Sequence, residues 1–393
     1  MTKILQIFNQ YTERGGEEKS VERIYEHGSD HFRFERYLVA SESWKGPSAP
    51  GKLSQLRKLF YNADTVRELT EKWERSRPDV ALLHNIYPVI SPAVLDFCLQ
   101  RDLPAIQYVH NFRPFSVSGT LWTGRRVAEE SLQGDYRAEV ISGAWQGSVI
   151  KSALFALLLK KLHKSGWLEA VKCWVAISDF MRNKFIEAGV AENQIVTLRH
   201  SWDAMEVVPP AQDEGYYLFL GRLVPEKGVL TLLEAWRLLE RELGARTPRL
   251  LIGGEGVLKE QVQKAQQEMT AVQYLGFVDG ERKSSLIKAA RALLAPSIWW
   301  EPLGLVTYEA YDYGKPMLAA ASGGLTETVE NAVTGYLHEP GNAGSLCHDV
   351  RKMEQLTVAE REEMGRKGRE WLLAEANPEQ WKKSFAAIID RVI

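Results

Sequence analysis

The stretch from Ala295 to Glu309 reads APSIWWEPLGLVTYE and carries two carboxylates eight positions apart, Glu301 and Glu309. The apolar run that ends at Ala295 stops at a proline, which predicts a buried strand followed by a loop. Glu301 therefore lies just beyond a strand end. Gly304 permits close approach of the backbone to a ligand, and a helix is predicted to begin there. Glu309 then lies about one turn into that helix.

The predicted helix start is suited to binding an anion. The amides of Gly304, Leu305 and Val306, next to Leu303 in the loop, have no acceptor in a preceding helical turn, so they favour a phosphate. Glu309 is an acceptor-only carboxylate, which suits a vicinal diol such as a ribose. Without the neighbouring motifs, Glu301 would more often be a surface residue, and Glu309 would more often be a residue that interacts favourably with the dipole at the helix start. The neighbouring motifs favour ligand binding here.

These motifs resemble those of the retaining glycosyltransferases of family 4, which have the GT-B fold. The resemblance rests on the E-x7-E pair within PSIWWEPLGLVTYEA, on GRLVPEKG at 221–228 and on GGLTE at 323–327. It covers most of the second half of the chain. It implies an α/β fold with two Rossmann-like domains facing across a cleft and a C-terminal helix that crosses back to the first domain.

The length of 393 residues exceeds one typical hydrophobic core and predicts two domains. Short apolar runs, among them 37–40, 80–83 and 105–109, alternate with helical stretches, and a second such series follows in the second half, which favours parallel sheets covered by helices. We place the first, acceptor-side domain at 1–208 with a return helix at 378–393. The second, nucleotide-sugar donor domain takes 209–377, after a linker at Pro209-Pro210.

Several classes of protein are disfavoured. Lys and Arg number 49 against 51 Asp and Glu, a net charge of −2, which does not support binding to nucleic acid. A G-x-G-x-x-G fingerprint is missing after the first strand, which weakens a dehydrogenase hypothesis. The three cysteines are far apart, which disfavours a disulfide framework or a zinc cluster. With no apolar run of about 18 residues and no signal-peptide pattern, a cytoplasmic location is expected.

In the first half, candidate ligand-binding residues follow predicted strands. The carboxyl ends of strands are where sheets of this class bind ligands. Gly15 and Gly16 precede a predicted helix, and the resemblance implies that this loop lies against the donor diphosphate and sugar. His110 follows the strand 105–109, and the resemblance gives it a contact with the transferred sugar. Arg113 is a weaker candidate for acceptor or phosphate binding, and we interpret His84 as structural.

Residues 149–164 form a predicted helix with an apolar body and a basic end. The favoured interpretation is a core helix with a solvated cationic C-terminus. The alternative is a peripheral contact with anionic lipid at the inner face of a membrane, which would suit an acceptor carried on a lipid.

In the second half, Arg222 and Lys227 flank one predicted strand-to-helix loop and could close on a diphosphate. The loop at Phe277 and Val278 offers a place for a base against backbone groups. No two aspartates stand two positions apart, so a metal-binding Asp-x-Asp pattern is missing and no metal is expected. The two basic side chains and the helix amides would then neutralise the leaving diphosphate.

The expected activity is therefore transfer of a hexosyl group from a UDP- or GDP-type sugar to a sugar, glycan or lipid-linked acceptor. Glu301 would hold sugar hydroxyls. Retention of anomeric configuration and a role in glycan or cell-envelope polysaccharide synthesis are implied by the resemblance alone. Two alternatives stay open: a nucleotide-sugar epimerase on the same scaffold, and a non-catalytic nucleotide-sugar binding protein.

Overall fold

The computed structural model describes residues 1–12, 15–206 and 213–393. The chain divides into two compact units, Met1–Ser201 with Pro378–Ile393 and Trp202–Asn377. Each unit is described by itself below. The predicted domain boundary at 208/209 and the Pro209-Pro210 linker lie outside the described residues.

The described part of the first unit is built on a parallel six-stranded sheet with the strand order β2-β1-β3-β4-β5-β6. Its strands are β1 (Lys3–Gln10), β2 (Arg33–Ala40), β3 (Val80–Leu83), β4 (Ala105–Val109), β5 (Val171–Ala176) and β6 (Ile195–Thr197). The central strands β3 and β4 are wholly buried and, apart from Gln107, apolar, as expected of a parallel sheet covered on both faces.

Helices connect these strands. They are α1 (Gly16–Gly28), α2 (Lys52–Phe60), α3 (Ala63–Ser76), α4 (Ala93–Gln100), α5 (Arg137–Ile141), α6 (Val149–Lys164) and α7 (Asp179–Glu187). The helix α6 buries one side, including Phe155, Leu158 and Leu159, while Ile150 and Leu157 are exposed. This burial agrees with a core helix.

The described part of the second unit has a parallel six-stranded sheet with the order β12-β11-β10-β7-β8-β9. Its strands are β7 (Tyr216–Leu220), β8 (Arg249–Gly253), β9 (Val272–Gly276), β10 (Ala292–Ala295), β11 (Met317–Ala320) and β12 (Gly335–His338). Its helices are α8 (Val229–Leu243), α9 (Lys259–Glu268), α10 (Gly280–Ala289), α11 (Leu305–Asp312), α12 (Leu325–Thr328), α13 (Ala343–Gln355) and α14 (Val358–Glu375).

The last helix, α15 (Pro378–Val392), belongs to the first unit. Its buried face includes Trp381 and Phe385, whose rings stack with centroids 4.8 Å apart. Phe385 also meets Phe32 edge-on at 5.8 Å. The predicted fold class, α/β with two parallel sheets and a C-terminal helix that returns to the first domain, is confirmed.

Residues 202–206 pack with the second unit, although our division placed them in the first domain. Trp202 Nε1 donates to Asp312 Oδ2 at 3.1 Å, and the Met205 amide donates to Asp312 Oδ1 at 2.9 Å. Asp312 ends α11, so these two bonds attach the segment to the second unit. The sequence did not reveal this pairing because its two partners are far apart in the chain.

None of the helices in the described part of the chain combines the length and the apolarity that a membrane crossing needs.

Candidate functional site

In the second unit the predicted site residues come together because their strands are neighbours. The strand β10 lies between β7 and β11, so the loops after these three strands share one edge of the sheet. The order of the strands reverses between β7 and β10, which is the kind of switch point where open α/β sheets bind ligands. Lys227 lies in the loop after β7, and Glu301 in the loop after β10.

The Glu301 carboxylate is held at this edge of the sheet by four hydrogen bonds. Lys227 Nζ donates to both of its carboxylate oxygens at 2.8 Å. Ser297 Oγ and Trp299 Nε1 donate to Glu301 Oε2 at 2.9 and 3.1 Å. With Glu301 only 8% exposed, these bonds compensate the loss of water around its charge.

The electrostatics keep Glu301 ionised. Burial alone would raise its pKa, but the charge of Lys227 and the bonds from Lys227, Ser297 and Trp299 lower the pKa below its ordinary value. The Lys227 ammonium also lies 5.3 Å from the centre of the Trp299 ring. The pair thus holds a fixed anion and a fixed cation beside each other.

Two glycines allow the loops to approach so closely. Gly228 has φ +74°, and a Cβ there would lie 1.7 Å from the Pro296 carbonyl oxygen. The Ile298 amide donates to the Glu226 carbonyl at 2.9 Å across the same contact. At Gly323, in the loop after β11, a Cβ would lie 2.3 Å from the Glu301 carbonyl oxygen. Only glycine fits at either position.

Gly304 is the N-cap of α11, with φ +90°, and Leu305 is the first helical residue. The predicted helix start at Gly304, Leu305 and Val306 is therefore present, with Leu303 buried beneath it. Glu309 lies one turn further along, where Lys283 Nζ of α10 contacts its Oε1 at 2.6 Å. Lys283 gave no signal in the sequence, since it precedes Glu309 by a whole strand and loop.

The remaining predicted residues of the second unit are more open. Arg222 lies in the same loop as Lys227, with 57% of its side chain exposed and Glu226 at 3.9 Å. Phe277 is 67% exposed, while Val278 is buried. Both follow β9, which is separated from β7 by β8, so the structure places them apart from the Glu301 and Lys227 pair along the sheet edge.

In the first unit, the predicted Gly-Gly pair forms the start of α1. Gly15 is the N-cap and Gly16 the first helical residue, and both are exposed. Glu18 closes the turn, because its carboxylate accepts from the amides of Gly15 at 2.8 Å and Tyr11 at 3.0 Å. Glu13 and Arg14 of the same loop lie outside the described residues.

His110 is the middle member of a chain of three buried imidazoles. His84 Nδ1 lies 3.0 Å from His110 Nε2, and His110 Nδ1 lies 3.4 Å from His200 Nε2. Gln6 Nε2 lies 3.2 Å from His84 Nε2 and 3.3 Å from the Val21 carbonyl oxygen. The Val21 carbonyl oxygen can only accept a hydrogen bond, so the Gln6 atom that faces both it and His84 is the amide nitrogen, a donor. This donor sets the direction of each hydrogen bond along the row of three imidazoles.

With Gln6 donating, His84 Nδ1 donates to His110 Nε2 and His110 Nδ1 donates to His200 Nε2. The neutral imidazole is favoured throughout: burial lowers the pKa of His110 to about 3 and also lowers those of His84 and His200. Both ring nitrogens of His110 are thus engaged within the protein. A sugar could meet His110 only through its ring edge or backbone unless one of these bonds opened.

His200 is not among the predicted site residues, and the interpretation of His84 as structural does not include its link to His110. His200 lies in the Arg199-His200-Ser201 segment, which differs from the Pro-Asn-Gly often found in the resembled family. Its neighbour Ser201 is tied to α1, since His27 Nδ1 lies 2.8 Å from its Oγ and Arg23 donates to its carbonyl oxygen. Following the strand ends β3, β4 and β6 would have grouped the three histidines.

A narrow pocket opens beside His110 in the first unit. Its polar lining includes Glu17, Asn111 and Arg113, and its apolar lining includes Leu95, Leu162 and Trp174. Asn111 Nδ2 donates to Glu17 Oε2 at 3.0 Å and to Tyr11 Oη at 3.1 Å. Glu17, which is not among the predicted site residues, is part of this lining.

Part of the chain matches a known family model. Residues 201–371 match the family model described as Glycosyl transferases group 1. That range nearly coincides with the second unit, which carries the Glu301 and Lys227 pair.

Two curated relatives match parts of the chain. An uncharacterized glycosyltransferase of Methanocaldococcus jannaschii is 32% identical over 145 residues, which is 36% of this chain and 36% of the relative. The O-antigen chain mannosyltransferase B of Escherichia coli is 30% identical over 208 residues, 49% of this chain and 53% of the relative. The matched segment thus spans about a third to a half of these relatives.

Among solved structures, the Anabaena protein Alr3699/HepE in complex with UDP and glucose superposes with a TM-score of 0.69. The match covers 100% of both chains at 17% sequence identity. At this identity the likeness establishes the fold.

Proposed function

We propose that this protein transfers a hexosyl group from a nucleoside-diphosphate sugar to an acceptor hydroxyl, with retention and without a metal ion. The observation that carries the proposal is the pairing of Glu301 with Lys227 beside the start of α11. The family match of the second unit and the fold shared with a structure holding UDP and glucose support it.

The chemistry follows from the placement of charge. The bond between the anomeric carbon and the diphosphate oxygen breaks while the acceptor oxygen bonds to that carbon, and the acceptor releases a proton. Negative charge develops on the diphosphate, where Lys227, Arg222 and the first amides of α11 would stabilise it. Glu301 would orient the sugar through its hydroxyls, and the ribose would meet Glu309. The departing phosphate oxygen is a sufficient proton acceptor.

The acceptor is a carbohydrate or a lipid-linked glycan. A lipid-linked acceptor would place α6 at an anionic membrane surface, since Leu157 is exposed near the lysines of its last turns, and Val149 and Ile150 are exposed at its first turn. A soluble acceptor requires no such contact, and α6 is then a core helix with a solvated end.

Replacing Lys227 with Ala should weaken nucleoside diphosphate binding by about 1.5–3 kcal/mol, as for a charged hydrogen bond. Isothermal calorimetry with UDP, GDP and ADP measures this loss and identifies the base. Because the change also leaves Glu301 buried without its cation, it should be repeated in a Glu301→Gln background. Lys264→Ala, at a lysine 73% exposed on α9, is the matched control. Equal affinity of the Lys227 variant and the control would contradict the role of Lys227.

Transfer should continue in millimolar EDTA, because the basic side chains and helix amides neutralise the leaving group. The measurement is acceptor-dependent release of nucleotide from the sugar donor that calorimetry selects. Complete loss of activity in EDTA, restored by magnesium or manganese, would refute the metal-free mechanism. A changed sugar still attached to nucleotide would instead indicate the epimerase.

A further inference from the structure

Three side chains that line the pocket beside His110 carry buried polar atoms without a partner in the described part of the chain. Glu17 Oε1, Tyr87 Oη and Arg113 Nε have no hydrogen-bond partner among the described residues, and all three side chains line this pocket. Buried polar atoms are nearly always paired, by protein, water or ligand. Three such atoms in one pocket therefore point to a polar occupant.

The hydrogen bonds of Glu17 determine which of its carboxyl oxygens is available to a ligand. Its Oε2 accepts from Asn111 Nδ2 at 3.0 Å, which leaves Oε1 as the atom for a ligand. Asn111 Nδ2 also donates to Tyr11 Oη at 3.1 Å, and Asn111 Oδ1 accepts from the Arg113 amide at 2.9 Å. The side chain of Asn111 is therefore fixed, and it fixes Glu17 in turn.

The pocket favours an uncharged hydroxyl over an ion. Three charged or titratable groups lie near Glu17. Glu18 and Tyr11 come from the start of α1 and the loop before it, and Arg113 comes from the segment after β4. Burial and, to a smaller extent, the charge of Glu18 raise the pKa of Glu17. Contacts with Tyr11, Arg113 and Asn111 lower this pKa by less, so that it lies at about 8. Glu17 is thus neutral at pH 7 and can donate a hydrogen bond from Oε1. The apolar wall at Leu95 and Trp174 would contact the carbon framework of a sugar.

We propose that this pocket is a subsite for a hydroxyl group of the acceptor, and that Glu17 recognises this hydroxyl through Oε1 with help from Tyr87 and Arg113. The inference rests on the proposed transfer reaction and names the first-unit residues that choose its acceptor. Occupancy removes the remaining water around Glu17, which penalises its ionised form further, so the ligand binds the neutral carboxyl more tightly.

A direct test is a ¹³C NMR titration of the Glu17 carboxyl in the full chain, with and without methyl α-D-glucopyranoside as a neutral sugar probe. The midpoint should rise by about one pH unit when the probe binds, and Tyr87→Phe should reduce this rise. The Glu17 signal is identified because it is absent from the spectrum of Glu17→Gln. The control variant is Glu26→Gln, at an exposed position on α1, in which Glu17 should titrate as it does in the unaltered protein. A midpoint unmoved or lowered by the probe overturns the inference.

A second test measures the acceptor KM as a function of pH and does not depend on the NMR titration. With saturating donor, the acceptor KM should rise about tenfold per pH unit above pH 8, because each unit depletes the neutral carboxyl tenfold. The Glu17→Gln variant should keep a flat profile, since its amide still donates. The same alkaline rise in Glu17→Gln, or a change confined to the donor KM, overturns the inference. If no nucleotide sugar is turned over at all, the proposed function fails while the titration still decides the subsite.

Discussion

Replacing Glu301 with Gln is expected to lower kcat by about 100- to 1000-fold while nucleoside diphosphate affinity changes little. The side chain keeps its volume, so Ser297 and Trp299 can still donate to its oxygen. The negative charge disappears, and with it the group that orients the sugar. Lys227 keeps its place in the loop but loses the anion with which it makes two bonds of 2.8 Å. The loss should therefore fall on the chemical step.

The measurement separates binding from turnover. Steady-state nucleotide release gives kcat, and calorimetry gives the diphosphate affinity of the same preparation. Glu281→Gln, at an exposed glutamate in the first turn of α10, is the matched control and should be indistinguishable from the unaltered protein. A Glu301→Gln variant with full kcat, or one that merely loses diphosphate affinity, would remove Glu301 from the reaction.

The stability of the protein should depend on the neutral state of His110. Its folded pKa of about 3 lies below the ordinary histidine value of about 6.5. A lowered histidine pKa favours folding fully above pH 6.5, and this contribution is lost as the pH falls toward 3. For His110 alone the loss between pH 7.5 and pH 4.5 is about 2–3 kcal/mol.

This loss is best measured as a difference between variants. The Glu17 carboxyl acts in the opposite direction, because its raised pKa makes stability increase as the pH falls from 8 toward 4.5. Comparing the protein with His110→Asn by urea unfolding at both pH values cancels that contribution. The stability advantage of the unaltered protein should shrink by about 2–3 kcal/mol on acidification. His31→Asn, at an exposed histidine, should show no such change. A pH-independent difference for His110→Asn would contradict the neutral histidine chain.

The sequence predicted the buried strands most closely. The runs 80–83 and 105–109 coincide with β3 and β4, because strands covered on both faces are nearly continuous apolar runs, with Gln107 as the one polar residue in these two. The edge strand β2 begins at Arg33, four residues before the predicted run at Tyr37, since its first half contains Arg33, Glu35 and Arg36 and is not a continuous apolar run. The strand β1 continues through Asn9 and Gln10, where the Asn9 side chain bonds to Ser41.

The site was predictable where chemistry and strand ends coincide. Glu301 and Lys227 follow strands that turn out to be neighbours, so patterns at 221–228 and 295–309 were enough to bring them together. Lys283 could not be found this way, because its contact with Glu309 exists only in the folded chain, whereas His200 could have been found from its position after the end of β6. Glu17 was hidden for another reason: a glutamate at a helix start is usually solvated, and its burial depends on Asn111 and Arg113 from a distant strand end.

The return of α15 to the first unit constrains the order in which the chain can mature during synthesis. The second unit is continuous in sequence and is synthesised before Trp381 and Phe385 are added to the chain. The first unit meanwhile exposes the apolar surface around Phe32 that these rings later cover. A nascent chain paused inside the second unit would therefore expose this surface of the first unit, where chaperones can bind.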